Sequence, residues 1–475
     1  MADIRHVVVL MLENRSFDSM LGRLYPAGPT FDGLTGNESN VWQGQAVKVW
    51  SGNAATPHLM TIPDPNAGES FADMNEQIFG RNPPGGAPAN MSGFVSNYMG
   101  RGGPAPNIPM HGFSPASVPV ISALARSFAV SDRWHASAPN QTWPNRFFVH
   151  TGTGGGYVNN SAKHAPYKMN TIYNRLVQKN RSWRIYRHDF VQAMLLSKIW
   201  GMVPDHIYDF NPQFLEDCRA GNLANYSFIE PRYYSILSAP PNDQHPTHDV
   251  SYGERLIAKC YQALRTSPAW EHVLFIVVYD EHGGIYDHVP PPPAVSPDGF
   301  APDGFAFDRY GVRVPAVLIS PWIPAGTVLR PPPGAQYPFD HTSIIATLRN
   351  LFSLGGPLTA RDGAAPDFLH ALSLPAPSND GPDHLPVPMT TASRAALATA
   401  VAEPPNSMQL AMAQASAKLP TGSANAPEHA KLVSRASMPL PAPATAADAR
   451  DLAVANADRF LNGGSAGPGG DDGSR

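Results

Sequence analysis

Two apolar runs in the chain each end in a cluster of oxygen-bearing side chains, HVVVLMLENRSFD at 6–18 and VLFIVVYDEHGGIYDHV at 273–289. Each apolar stretch reads as a strand of about seven residues buried on both faces, as in a parallel sheet, and open sheets of that kind bind ligands beyond the carboxyl ends of their strands. The pairs Glu13–Asn14 and Asp280–Glu281 are therefore expected to meet at one sheet edge. Carboxylates gathered there repel one another and raise each other's pKa unless a cation sits among them, so the grouping predicts a divalent metal site. Glu13, Asn14, Asp280 and Glu281 are hard oxygen donors, which suit Ca²⁺, Mg²⁺ or Mn²⁺, while Zn²⁺ also accepts carboxylates.

A nucleophile and proton donors stand elsewhere in the chain. In APNQTWPNRFFVHTGT (138–153) Pro144 suits the first turn of a helix. That places Thr142 at or just before the N-cap, where free backbone N–H groups and the helix dipole favour an anion such as phosphate. Beside a cation its hydroxyl loses a proton more readily, which makes Thr142 both a ligand and an alkoxide able to attack phosphorus. The turn NDQHPTHD (242–249) sets His245 and His248 three residues apart before a predicted helix. An imidazole with an ordinary pKa of about 6.5 can protonate an alkoxide leaving group near neutral pH. His282, His288 and His341 are candidates for phosphate contact or a second ion. Each signal alone has a plainer reading: Glu-Asn after a strand and Asp-Glu-His-Gly-Gly both make ordinary turns, and a Thr before Trp-Pro is usually a cap. Their joint occurrence is what points to chemistry.

The elements that must hold these groups alternate strand and helix, so the fold class is α/β, with a central mostly parallel sheet between helices. Residues 26–117, rich in Gly, Pro and Asn, read as an excursion over the sheet edge that serves partly as a lid, with short helical pieces at Met74 to Phe79 and Met91 to Tyr98. Helical spacing follows at 117–130, at Tyr167 to Lys179 and at Tyr252 to Leu264, the last with Asp249 as cap. A short strand is expected near Ala129 to Asp132, another inner strand in VRVPAVLISPW (312–322), and a helix in FDHTSIIATLRNLF (339–352) that begins near Asp340 to Thr342. Three parts result: a catalytic domain at 1–372, an Ala/Pro-rich helical extension at 373–462 with helices near 404–418 and 446–462, and a disordered tail at 463–475.

Composition narrows the function classes. With 475 residues, 43% hydrophobic, the chain can bury a large core. The formal net charge of −4, with no block of Lys and Arg, leaves no electrostatic footprint for nucleic acid. No stretch approaches the roughly 20 apolar residues of a membrane span. Cys218 and Cys260 are expected to be ordinary thiols. Met1-Ala-Asp-Ile-Arg-His runs directly into the first strand without a secretory signal, so the expected location is cytoplasmic, or outside by a signal-independent route. The oligomeric state stays open.

In order along the chain, ENRSFD, TWPNR, HPTHD, YDEHGGIYDHVPPP, RVPAVLISPW and FDHTS resemble the bacterial phosphoesterase family of phosphatidylcholine-type phospholipases C and related acid phosphatases, within the alkaline-phosphatase-like superfamily. The resemblance spans roughly residues 5–372. It implies one metal held by Glu13, Asn14, Asp280, Glu281 and Thr142, with Thr142 as nucleophile and His248 or His245 near the phosphate; Asn145 and Arg146 of the TWPNR motif go with the phosphate contacts. Thr rather than Ser at the nucleophile looks like the phospholipase C branch. A His that family members often carry in a Pro-Asp-Pro segment is missing from PDPNAGES (63–70), which has Asn66, and His58 or His111 are its stand-ins. The twin-arginine signal frequent in the family is absent too. The implied function is metal-dependent hydrolysis of a phosphodiester such as phosphatidylcholine through a phosphothreonine, with peripheral lipid contact. The alternatives are an acid phosphatase and an inactive binding protein. Trp143, Trp134, Tyr98 and Phe94 are read as an aromatic wall for choline or, otherwise, as core.

Overall fold

The computed structural model describes residues 2–53, 55–84, 86–420 and 442–462. Its strands are β1 (His6–Leu12), β2 (Ser39–Trp42), β3 (Gln45–Lys48), β4 (Ala129–Ser131), β5 (Trp183–Arg187), β6 (Ile207–Asp209), β7 (Tyr226–Ile229), β8 (Val273–Tyr279), β9 (Ala316–Ile319) and β10 (Thr327–Leu329). Eight of them form one sheet in the order β10-β4-β9-β8-β1-β7-β5-β6, and β2 and β3 make a separate hairpin. The sheet is mostly parallel: β1 lies between β8 and β7 and runs parallel to both.

Burial explains why β1 and β8 are continuous apolar runs. Val7 to Leu12 and Val273 to Tyr279 are wholly inaccessible, because helices cover both faces of the sheet. Each such Val, Leu or Ile contributes about 1.5–3 kcal/mol relative to an exposed side chain. The run 312–322 does yield an inner strand, but β9 has four residues and lies antiparallel to β8 and β4. Pro315 and Pro321 bound it, and among the described residues no helix separates β8 from β9, so the chain returns without the crossover that parallel pairing needs.

The helices are α1 (Phe17–Met20), α2 (Phe71–Phe79), α3 (Phe94–Gly100), α4 (Pro119–Ser127), α5 (Thr142–Thr151), α6 (Ile172–Gln178), α7 (Leu215–Ala220), α8 (Val250–Arg265), α9 (Thr342–Phe352), α10 (Ala360–Ala364), α11 (Arg394–Ala402), α12 (Ser407–Ser416) and α13 (Ala446–Leu461). Asp249 caps α8 as expected, accepting from the Ser251 N–H. The excursion at 26–117 carries the hairpin, α2 and α3 around a second hydrophobic cluster of Leu34, Ile78, Phe94, Val95 and Met110. α2 begins earlier than the spacing suggested because Ser70 and Asp73 form a capping box.

The C-terminal helices belong to the main core. Met408, Met412, Ala449, Ala453 and Phe460 are buried in the same cluster as β1 and β8. The tail expected to be disordered at 463–475 lies outside the described residues. Cys218 and Cys260 are buried free thiols. No helix of the described residues is long and apolar enough to cross a membrane.

Candidate active site

Register brings the two clusters together. Leu12 of β1 pairs with Tyr279 of β8, so Glu13 and Asp280 leave adjacent strands at one level. Asn14 adopts a left-handed conformation (φ 53°), which asparagine tolerates better than most residues. Its N–H donates to Asp280 Oδ1 at 2.8 Å, and the Glu281 N–H donates to the same oxygen at 2.7 Å. Gly283 lets the second turn close on the first, since a Cβ there would lie 2.2 Å from the Asn14 carbonyl oxygen.

Thr142 is the first residue of α5, with Gln141 as N-cap, so it stands one position inside the helix. Its Oγ1 lies 3.4 Å from Glu13 Oε2 and 3.5 Å from Asn14 Oδ1. One turn along α5, fully buried Arg146 donates to Glu13 Oε1 at 2.7 Å, Glu230 Oε2 at 2.8 Å and the Met11 carbonyl at 2.8 Å. Tyr233 donates its hydroxyl to the same Glu230 oxygen. Behind it, Gln409 of α12 donates to the Tyr233 carbonyl at 2.8 Å and accepts from the Tyr234 hydroxyl at 2.8 Å.

These carboxyls are strained electrostatically. Burial, then the Asp280 charge, pushes Glu13 well up, with Arg146 opposing. Burial lifts Asp280 to about 6. Burial, then Glu69 and Asp280, pushes Glu281 well up. Asp280 Oδ2 and Glu281 Oε1 are buried with no hydrogen-bond partner among the described residues. Orphaned anionic oxygens at the meeting point of an all-oxygen donor set are what a hard divalent cation satisfies, so Glu13, Asn14, Asp280, Glu281 and Thr142 fit the expected metal.

Glu69 is the site residue that sequence reasoning missed. It reaches the cluster from the PDPNAGES segment and accepts from Asn14 Nδ2 at 2.8 Å and Asn66 Nδ2 at 2.9 Å. It also lies 3.5 Å from His245 Nε2. Burial works against a charge on His245, yet Glu69, with Asp243 and Glu13, outweighs it and raises the imidazole to about 9. The signal was available, since Glu69 occupies the segment where the family His was sought. Neither stand-in bonds to the cluster: His111 packs between Trp50 and Phe113, and His58 sits before a short 3₁₀ turn.

The 242–249 turn is tied to the site through the Glu13 N–H, which donates to the Asp243 carbonyl at 2.9 Å. His248 Nδ1 is 2.7 Å from Asp243 Oδ1, and the ring is 16% exposed. His248 also lines a cavity of about 390 Å³ bordered by Thr247, Ala396 and Gln409.

The remaining candidates have protein partners. Asn145 bonds with both side-chain atoms to Ala138 and Asn140, which fixes the turn entering α5. His341 Nε2 is 2.7 Å from the Asp280 carbonyl while its Nδ1 accepts from Trp134, and burial lowers the ring to about 4, so it braces the turn at Asp280 as a neutral group. His282 Nε2 is 2.8 Å from Gln77 Oε1 and burial lowers it to about 4. His288 bridges Asp18 at 2.7 Å and Asp32 at 3.1 Å. Asp18, Asp287 and His288 bring ligand-type atoms within 4.8 Å of one another. Arg313, however, donates to Asp287 at 2.9 Å and to Asp18 at 3.0 Å. Against the penalty of burial, the two aspartates raise His288 to about 10, so its ring is an imidazolium without a free lone pair. The cluster is held together by ion pairs of Asp18, Asp32 and Asp287 with His288 and Arg313. Trp134, Trp143, Tyr98 and Phe94 are all buried, which makes them core in place of an open choline wall.

A mostly parallel α/β sheet with carboxylates and a helix-N-terminal hydroxyl at one strand edge defines a class of ester hydrolase. Residues 4–355 match the Phosphoesterase family, and the chain belongs to it. It is thus a hydrolase acting on phosphoric esters. Non-specific phospholipase C5 of Arabidopsis thaliana is 39% identical over 406 residues, covering 81% of this chain and 77% of the relative. Non-specific phospholipase C1 of the same plant is 41% identical over 401 residues, covering 81% and 74%. Phospholipase C B of Mycobacterium tuberculosis (strain CDC 1551 / Oshkosh) is 29% identical over 441 residues, covering 82% of each. Among solved structures, the lipoteichoic acid synthase LtaP from Listeria monocytogenes is a distant likeness, with 13% identity, 78% and 76% coverage and a TM-score of 0.36.

Proposed function

We propose that the chain is a phospholipase C that cleaves a phosphodiester such as phosphatidylcholine through a phosphothreonine on Thr142. The reading assigns one divalent cation to Glu13, Asn14, Asp280, Glu281 and Thr142. The observation that carries it is the convergence of these side chains on buried oxygens, Asp280 Oδ2 and Glu281 Oε1, that have no hydrogen-bond donor among the described residues. The relatives, phospholipases C of a plant and a mycobacterium by name, support the substrate class.

When bound, the cation supplies Lewis acidity toward phosphate oxygens and lowers the pKa of a neighbouring hydroxyl. Thr142 Oγ1 gives up its proton to the cluster, where Glu13 Oε2 is 3.4 Å away, and forms a bond to phosphorus as the ester bond to the alcohol breaks. His248, oriented from behind by Asp243, protonates the departing oxygen through Nε2. His245 places positive charge beside the phosphate, and Arg146 beneath the site opposes the upward push on Glu13 and aims its carboxyl. Water then displaces Thr142 from phosphorus and restores the hydroxyl.

Phosphatidylcholine and p-nitrophenyl phosphate assayed side by side test the reading. Release of phosphocholine without action on the monoester is the expected result. Hydrolysis of the monoester alone would make the protein a phosphatase, and inactivity on both with every metal added would make it a binding protein.

A further inference from the structure

A cationic cavity lies outside the site just described. It has a volume of about 370 Å³ and sits between α8, the loop 232–242 and the segment 390–397. Arg232, Arg255 and Lys259 line it, with His188 beside them, and no Asp or Glu does among the described residues. None of the three cations has a carboxylate within 4 Å among the described residues, in a chain whose formal charge is −4. Their hydrogen bonds go to neutral oxygens: Arg232 to the Pro240 carbonyl at 3.2 Å, Arg255 to the Thr390 carbonyl, and Lys259 to Asn211 Oδ1 at 2.7 Å.

The helix itself argues for an absent anion. Arg255 and Lys259 stand one turn apart on the exposed face of α8, where like charges repel and where most surface helices would alternate sign. Arg232 adds a third charge from across the cavity although it is half-buried, and burial lowers its pKa, with Asp189 opposing and Arg450 adding repulsion. Fixed cations left uncompensated around a cavity are stabilised when a multiply charged anion neutralises them, and guanidinium forks match phosphate oxygens in shape.

We infer that Arg232, Arg255 and Lys259 form a second site, distinct from the carboxylate cluster, that binds a phosphate-bearing anion. The shared chemistry is a terminal phosphate carrying more than one negative charge, borne either by a soluble molecule or by a lipid headgroup. The cavity shares Pro240, Ala392 and Leu397 with the His248-lined cavity, so an anion bound here sits one wall away from the proposed proton donor. This site does not depend on the phospholipase reading.

Two arms of one experiment distinguish the sources. Calorimetric titration with inorganic pyrophosphate reports the soluble source, and cosedimentation with phosphatidylcholine vesicles, with and without phosphatidic acid, reports the lipid source. The full chain and the Arg255→Glu/Lys259→Glu double variant are compared, with melting curves run on both. The expected result is a loss of about 10-fold or more in affinity in one arm, because two charge-assisted contacts are reversed, with turnover of a soluble phosphodiester unchanged. Loss in the pyrophosphate arm assigns a soluble ligand, and loss confined to phosphatidic acid vesicles assigns a lipid headgroup. Unchanged binding in both arms overturns the site. Should the double variant fail to fold, Lys259→Ala, which gives up the bond to Asn211 and the contact of the ammonium with the Phe210 ring at 5.4 Å, carries the same comparison.

Discussion

At the scale of single residues, Thr142 has the most at stake. Thr142→Ala is expected to lower kcat by about 10³-fold or more at unchanged melting temperature, while Thr142→Ser keeps the hydroxyl and most of the rate. Glu281 offers a sharper test, because its charge repels Glu69 and Asp280 in a buried setting. Glu281→Gln should raise the melting temperature of metal-free protein and shrink the gain on adding metal, measured by calorimetry against a chelator. The native chain at a metal concentration of 100 Kd should gain about 2.7 kcal/mol. His288 gives a pH dependence: its folded value of about 10 lies above the ordinary 6.5, so its ion pairs contribute fully below that ordinary value and fade as pH rises through 10. A His288→Leu variant should therefore be destabilised most at neutral pH and below, with the gap closing in alkaline melts. At this scale the meeting of Glu13, Asn14, Asp280 and Thr142 was legible, because strand ends and a helix start announce themselves in sequence. The protein partners of His341, His288 and Asn145 were not legible, since an imidazole or amide in a motif looks the same whether it faces a ligand or a carbonyl oxygen. Glu69 was passed over because only folding of the long excursion carries it to Asn14.

Among the elements, α4 shows a helix start completed from elsewhere. Val118 at its N-cap position supplies no side-chain acceptor, and Glu254 of α8 accepts from the Val120 and Ile121 N–H groups at 2.5 and 3.2 Å. Glu254→Ala should cost about 1–3 kcal/mol by leaving buried donors unmet, and Glu254→Gln, which still accepts, should cost less. Chemical denaturation of both variants measures the difference. The strands β1 and β8 were readable to the residue, since a seven-residue apolar run between polar ends has few other uses. The direction of β9 was not readable, because an apolar run carries no mark of polarity and only the missing crossover decides it. α11 escaped notice for a related reason: Ala-rich RAALATAVA buries little beyond Leu397 and so lacks an apolar stripe.

Across the whole molecule, the extension after residue 372 is less separable than its composition suggests. Low-complexity Ala and Pro read as a loose appendage, yet small alanines let α12 and α13 approach closely, and Met412 and Phe460 complete the main core. A chain ending at residue 372 is expected to expose that core and the backbone of Tyr233, giving a lower and broader thermal transition or insoluble protein. The family match ends at residue 355, before this extension begins.

The bond from Gln409 to Tyr233 bears on how the enzyme can be handled. From Tyr233 the bonded groups run through Glu230 and Arg146 to Glu13, so α12 is anchored to the floor beneath Thr142. Fusion partners and surface immobilisation are therefore safest attached past Leu461, with a slack tether. Pulling on α13 from before that point should show up first as slower turnover, in samples whose spectra still look native.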